Sequence, residues 1–223
     1  MTSDGTPPTR IFLRPVGSPL TIAMSGLAIA SLAQAGLDLR WFKPTQAHTL
    51  GLILISVPFV LQFLGCVFAY LSRDGAAGAT IGVLAASWLG LGLVHLSSAP
   101  GSRSGELGLM LIAAGGVLML SAIAMATFKP LPGTVFALAG IRFVLTGVYE
   151  VGAGSTWARA AGIVSLVVLG LAAYSVLAFE LEGEQHRPVL PTFRRGRARV
   201  ATDDDPSRAI DGVASEAGVR QMT

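Results

Sequence analysis

Charged positions divide this chain. Six long stretches are nearly free of Asp, Glu, Lys and Arg, and short polar segments separate them. They run Ser18–Leu37, Gln46–Leu71, Ala76–Leu96, Glu106–Phe128, Thr134–Val151 and Thr156–Phe179. A helix of ~20 apolar residues crosses the hydrocarbon core of a bilayer. Backbone groups in lipid must be satisfied within the segment, so each stretch is predicted to be helical. The pattern therefore predicts an all-α membrane protein, a six transmembrane helix bundle over residues 18–179. Residues 1–17 form a polar, disordered N-terminal tail. Residues 180–223 form a C-terminal tail, basic first and then unfolded.

Composition agrees. The chain is 52% hydrophobic and 13% charged, where a soluble domain carries about a quarter charged residues. Mean hydropathy is +0.64. The 27 glycines allow close helix packing, and Gly78, Gly82, Ala86 and Gly90 make a smooth stripe at four-residue spacing. Pro58 removes a backbone hydrogen bond inside the second stretch and predicts a kink. Cys66 is the single cysteine, so no internal disulfide forms, and no metal or organic cofactor is expected. There is no phosphate-binding loop, zincin helix or nucleophile elbow, which argues against those enzyme classes. Ala33-Gln34-Ala35 resembles a signal-peptidase site, but the full spans after it favour a retained first helix.

Six crossings put both termini on one side. That side collects Arg10, Arg14, Arg73, Lys129, Arg187, Arg194, Arg195, Arg197 and Arg199. The other side has Arg40, Lys43, Arg103 and Arg159. The bias places both termini in the cytoplasm, with the chain multi-pass in the plasma (inner) membrane. The basic run Phe193–Arg199 directly follows a span. It reads as a topology signal against anionic lipid rather than as a nucleic-acid site.

The stretch Val135–Gly152 carries the candidate chemistry, with Arg142 in its middle and Glu150 near its end. A guanidinium at bilayer depth costs at least a few kcal/mol, so it must face a cavity or a neighbouring helix. Its planar fork suits a carboxylate. Ala139, Thr146 and Tyr149 share its helix face. The competing reading is a structural arginine satisfied by helix carbonyls, by Gln34 or Gln62, or by Glu150 of another helix or protomer. Within one helix, Glu150 is rotated too far round to pair with it. Gln62 lies one turn after Pro58, placed to serve the carbonyl that the proline frees or to line a path. Glu150 and His95 are candidate proton sites, set against a solvated, interfacial role for each. His48 shares the outer side with His95, and His186 falls in the tail.

The order of features resembles the acetate uptake transporter family over roughly Pro15–Gly196. Pro19-Leu20 stands where that family has its NPAPLGL signature, and Gln62 with FLGCVFAY is similar to its glutamine helix. Arg73-Asp74-Gly75 and then Trp88 match a charged turn followed by a tryptophan. Tyr174 and Arg187-Pro188-Val189-Leu190-Pro191 resemble its closing R-x-V-L-P element. The resemblance implies a six-helix protomer in a homo-hexamer, with a path through each protomer. It implies passage of small monocarboxylates, usually acetate and sometimes succinate, together with protons. The family's pore narrowing falls near Ser25, Leu84 and Ala139, where this chain lacks the aromatic, tyrosine and leucine. That implies a wider or differently shaped constriction. The signature's asparagine and first proline are missing, the glutamate late in span two is Ala69, and Arg142 has no charged counterpart. Two other readings stand beside carboxylate transport. One is a channel for small neutral solutes such as urea, amides, ammonia or water. The other is a membrane scaffold whose tail is the working part.

Overall fold

The computed structural model describes residues 17–185 and 187–196. It contains six helices long and apolar enough to cross a membrane. These are α1 Pro19–Asp38, α2 Pro44–Leu71, α3 Gly75–Ser97, α4 Gly105–Ala126, α5 Pro130–Glu150 and α6 Ser155–Gln185. No strand occurs among the described residues. Each helix packs against its neighbours in the chain, and α6 returns to pack against α1, which closes a ring.

Local chemistry sets the helix ends. At the end of α1, Arg40 adopts a left-handed φ of 59°, and the Trp41 N–H donates to the Gly36 carbonyl at 2.8 Å. This is the six-to-one bond that closes a helix. The Asp74 side chain caps α3 by accepting from Ala77 N–H at 3.3 Å. Ser104 caps α4 by accepting from Leu107 N–H at 3.2 Å. Both satisfy amides that a helix start leaves bare. Pro58 sits inside a π-helical turn, Ile55–Phe59, between the α-helical parts of α2. A wider turn absorbs the carbonyl that proline cannot bond.

Odd and even helices differ in burial. In α1, α3 and α5 the buried share of the span is 56%, 56% and 61%, against 28% in both α2 and α4. The odd helices therefore supply the interior, including Met24, Leu27, Leu84, Trp88, Phe136 and Phe143, all fully buried. Leu120 and Ile123 on α4 are 71% and 69% exposed, as expected of side chains that face lipid.

Where small residues bring helices together differs from the stripe seen in the sequence. Gly78 faces the Tyr70 ring, Gly82 faces Cys66 and Gly90 faces Met110, while Ala86 is exposed. Residues four apart drift by about 40° per step round a helix, so a long four-residue repeat visits several neighbours. The tightest approach joins α4 to α5. A Cβ on Gly115 would stand 2.6 Å from the Gly140 carbonyl oxygen, and one on Gly147 2.6 Å from that of Gly108. Backbone touches backbone there, which only glycine allows.

Helix α6 continues past Phe179 to Gln185. Residues after it fold back over the same end of the bundle. Tyr174 Oη donates to the Pro191 carbonyl at 3.0 Å, and Arg195 N–H donates to the Phe128 carbonyl at 2.9 Å. Arg194 pairs with Glu182, and Thr192 is buried. The segment expected to open the tail thus begins as an ordered strap. Residues 1–16, His186 and 197–223 lie outside the described residues, and with them most of the tail expected at 1–17, the end of the basic run and the remainder of the tail expected at 180–223.

Candidate functional site

The periodicity of α5 turns Ala139, Arg142 and Thr146 inward, all buried, with Tyr149 half-buried. Arg142 is 2% exposed and lies eight residues from the end of α5, ~12 Å along the axis. Four helices meet at its guanidinium. Nε donates to Ser165 Oγ of α6 at 3.2 Å. Nη2 stands 3.8 Å from Asp38 Oδ2 at the end of α1. The guanidinium carbon is 5.1 Å from the Trp88 ring of α3 and 5.1 Å from the Phe143 ring of α5. Ring faces attract a cation, more strongly where water is excluded.

Charge is balanced here but hydrogen bonding is incomplete. Both Nη1 and Nη2 of Arg142, Oδ2 of Asp38, Oε1 of Gln34 and Nε1 of Trp88 are buried with no hydrogen-bond partner. Each such group costs roughly 1–3 kcal/mol, and more when charged. Donors and acceptors are thus left unpaired together at this depth.

Asp38 is the residue that sequence reading missed. It ends the first apolar stretch and reads as the start of a loop. The structure makes it the last residue of α1 and buries it. Ser31, Gln34 and Asp38, at spacings of three and four, share a buried face of α1. That polar stripe was the available signal. Gly162 of α6 holds the position, since a Cβ there would stand 3.1 Å from Asp38 Cβ and 2.7 Å from Leu39 Cγ.

Asp38 also borders a cavity of about 590 Å³. Gln34, His95, Tyr149 and Glu150 line it, with Arg40 and Lys43 among the residues contributed by the α1–α2 turn. The cavity sits at the end of the bundle opposite the start of α1 and the end of α6, among the α1–α2 and α3–α4 turns and the start of α6. Asp38 touches the cavity on one side and Arg142 on the other. His95 Nε2 is buried without a partner. Glu150 accepts from Ser104 N–H at 2.9 Å, so its carboxylate is tied to the start of α4 and does not meet Arg142. Arg103 lies 4.2 Å over the Tyr149 ring and donates to the Ala153 carbonyl at 2.8 Å.

Other expected site residues stand apart from this cluster. Gln62 is fully buried, but its Nε2 donates across to the Ala23 carbonyl of α1 at 3.2 Å, and Gln62 is not among the cavity's lining residues. It ties α2 to α1 where Gly26 leaves room, rather than serving the carbonyl freed by Pro58. Leu84 and Ala139 join the core on α3 and α5. Ser25 is only part-buried, with its hydroxyl turned back to the Thr21 carbonyl at 2.9 Å. On α1 it is Met24 and Leu27 that fill the interior. No group of three or more His, Cys, Asp or Glu among the described residues is placed to hold a metal.

No protein-family model and no curated protein sequence matches this chain. Among solved structures, one bacterial acetate channel superposes along nearly its whole length. The fold is that of SatP. The TM-score is 0.69 at 17% identity, covering 79% of this chain and 98% of SatP. The six-helix fold expected from the sequence resemblance is thus the one observed. SatP supplies the comparison for the six-helix ring; the buried arginine and aspartate must be read from this chain's own side chains.

Proposed function

We propose that this chain passes small carboxylates, acetate-like in size, across a membrane through its own helix bundle. The observation that carries the reading is Arg142, a guanidinium with two unbonded nitrogens, 3.8 Å from an aspartate that borders an open cavity. A small carboxylate is the ligand such a planar fork accepts through two hydrogen bonds. The ~590 Å³ vestibule holds far more than acetate, and Arg40 and Lys43 at its wall raise the local anion concentration. Succinate also falls within this size. The shared fold with an acetate channel supports the same reading.

The proposal extends to proton-linked passage, a hexamer with one path per protomer, and residence in the inner membrane with cytoplasmic termini. The basic residues of the terminal side support that orientation. Conduction needs binding that is weak enough to release, and Asp38 weakens the arginine's hold by competing for it.

Proteoliposomes with labelled acetate or labelled urea test the proposal. Acetate uptake above protein-free vesicles, stimulated by external acid, is the expected outcome. Urea uptake that ignores pH, with no acetate uptake, would replace it with a neutral-solute channel.

A further inference from the structure

The Arg142–Asp38 pair raises a question that carboxylate passage alone leaves open. The pair is neutral as a unit, and both side chains are nearly removed from solvent, at 2% and 7% exposure. A second carboxylate arriving at Arg142 would leave one buried negative charge uncompensated, which costs several kcal/mol. Arginine cannot relieve this by changing its protonation. Among the described residues, no spare cation stands at the pair. Gln34 of α1 and Ser165 of α6 are neutral. On α3, His95 lines the cavity, and the nearby Arg142 charge disfavours a second cation on its ring. On α5, Glu150 is itself acidic and is held by Ser104 N–H. Arg103 is engaged with the Tyr149 ring and the Ala153 carbonyl. His48 Nε2 lies 3.3 Å from the Ser98 carbonyl, and Arg40 and Lys43 lie in the α1–α2 turn rather than at the pair.

We propose that Asp38 is the proton-coupling carboxylate of this site: a substrate carboxylate takes its place on Arg142 as Asp38 takes up a proton. The geometry supports such an exchange. At 3.8 Å the pair is close but not hydrogen-bonded, and Asp38 Oδ2 and both Arg142 Nη atoms are free to take new partners. Asp38 also borders the cavity, through which a proton and a carboxylate can both arrive. The exchange balances. Asp38 carboxylate on Arg142, plus substrate carboxylate, plus one proton, gives substrate on Arg142 and neutral Asp38, with no change in buried charge. Release on the far side returns the proton and restores the pair. The inference rests on the carboxylate reading and assigns its coupling residue.

The test uses electroneutrality. Wild type, Asp38→Asn and Asp38→Glu are reconstituted into vesicles, and labelled acetate uptake is measured with and without an imposed potassium diffusion potential. Wild type is expected to be insensitive to the potential, because one proton accompanies each anion. Asp38→Asn is expected to carry the anion alone, so that its uptake follows the potential and loses its acid stimulation. Asp38→Glu is expected to stay insensitive to the potential, with a displaced pH midpoint. It carries the test if the asparagine variant does not elute as a folded species, and an unmoved midpoint would then sink the inference. Potential-insensitive uptake by folded Asp38→Asn, or potential-driven uptake by wild type, would overturn the inference and leave carboxylate passage standing. So would transfer of the effect to His95→Gln. Absence of acetate uptake by wild type would remove the carboxylate reading, and this inference with it.

Discussion

Two aspartates among the described residues face cations, and their settings differ. Asp74, in the α2–α3 turn, is bonded directly to Lys129 of the α4–α5 turn, with side chains 23% and 27% exposed. It also caps α3. Asp38 meets Arg142 inside the bundle, unbonded at 3.8 Å. The first pair has its hydrogen bonds and sits at the aqueous end, where it pins two turns together. The second pair is nearly removed from solvent and keeps both Arg142 Nη atoms and Asp38 Oδ2 unbonded, and its aspartate borders the vestibule. The contrast teaches that proximity of opposite charge does not by itself mark a staple. Burial and unmet hydrogen bonds distinguish a site from a fastening.

Removing the inner cation should have the largest effect. Arg142→Gln takes away a charge-assisted contact worth about 1.5–3 kcal/mol, or roughly ten- to a hundredfold in affinity. It also strands Asp38 in the interior, which destabilises by about 3–5 kcal/mol. Acetate uptake at matched protein content should fall to background, and the thermal midpoint in detergent should drop. Unchanged uptake with unchanged affinity would take Arg142 off the path.

A smaller effect should come from moving the aspartate without changing it. Gly162→Ala presses a methyl group against Leu39 and Asp38, and overpacking of this kind costs about 1–3 kcal/mol. Uptake should fall several-fold while Arg142 keeps its Ser165 bond. Wild-type uptake would show that the Asp38 position tolerates displacement.

The smallest effect belongs to the outer pair. Lys129→Ala should cost about 1 kcal/mol, since the pair is only part-buried at the aqueous end, and the loss should shrink at high salt. Acetate uptake should stay at the wild-type level. A transport defect there would erase the distinction between the two pairs.

Much of this was legible in the sequence, for stated reasons. Apolar length defines each span because lipid forbids an unsatisfied backbone. Arg142 stands out because charge is rare in such a run. Its helix face was readable from spacing alone, and α5 buries Ala139 and Thr146 with it. Its partner was not legible, because Asp38 lies on the boundary where a helix end and a loop start look alike. Gln62 was read as serving the carbonyl freed by Pro58 or lining a path; its bond to Ala23 depends on how α1 and α2 cross, which no single helix encodes. Which neighbours the α3 glycines meet, Tyr70 and Cys66 of α2 and Met110 of α4, was not legible for the same reason. The strap at 187–196 was hidden because its proline and arginine content matches that of an unfolded tail, while its contacts are with Phe128 and Tyr174, remote in sequence.

On the proposed reading, solute reaches the buried guanidinium from the vestibule. Cysteine labelling tests it most directly, since Cys66 is the single native thiol. In a Cys66→Ser background, Ser165→Cys places a thiol where Arg142 Nε now bonds. A small water-soluble thiol reagent should label that cysteine from the vestibule side, and acetate should slow the labelling. A folded variant that carries acetate at the wild-type rate, yet leaves the thiol unlabelled from either side, would contradict the account.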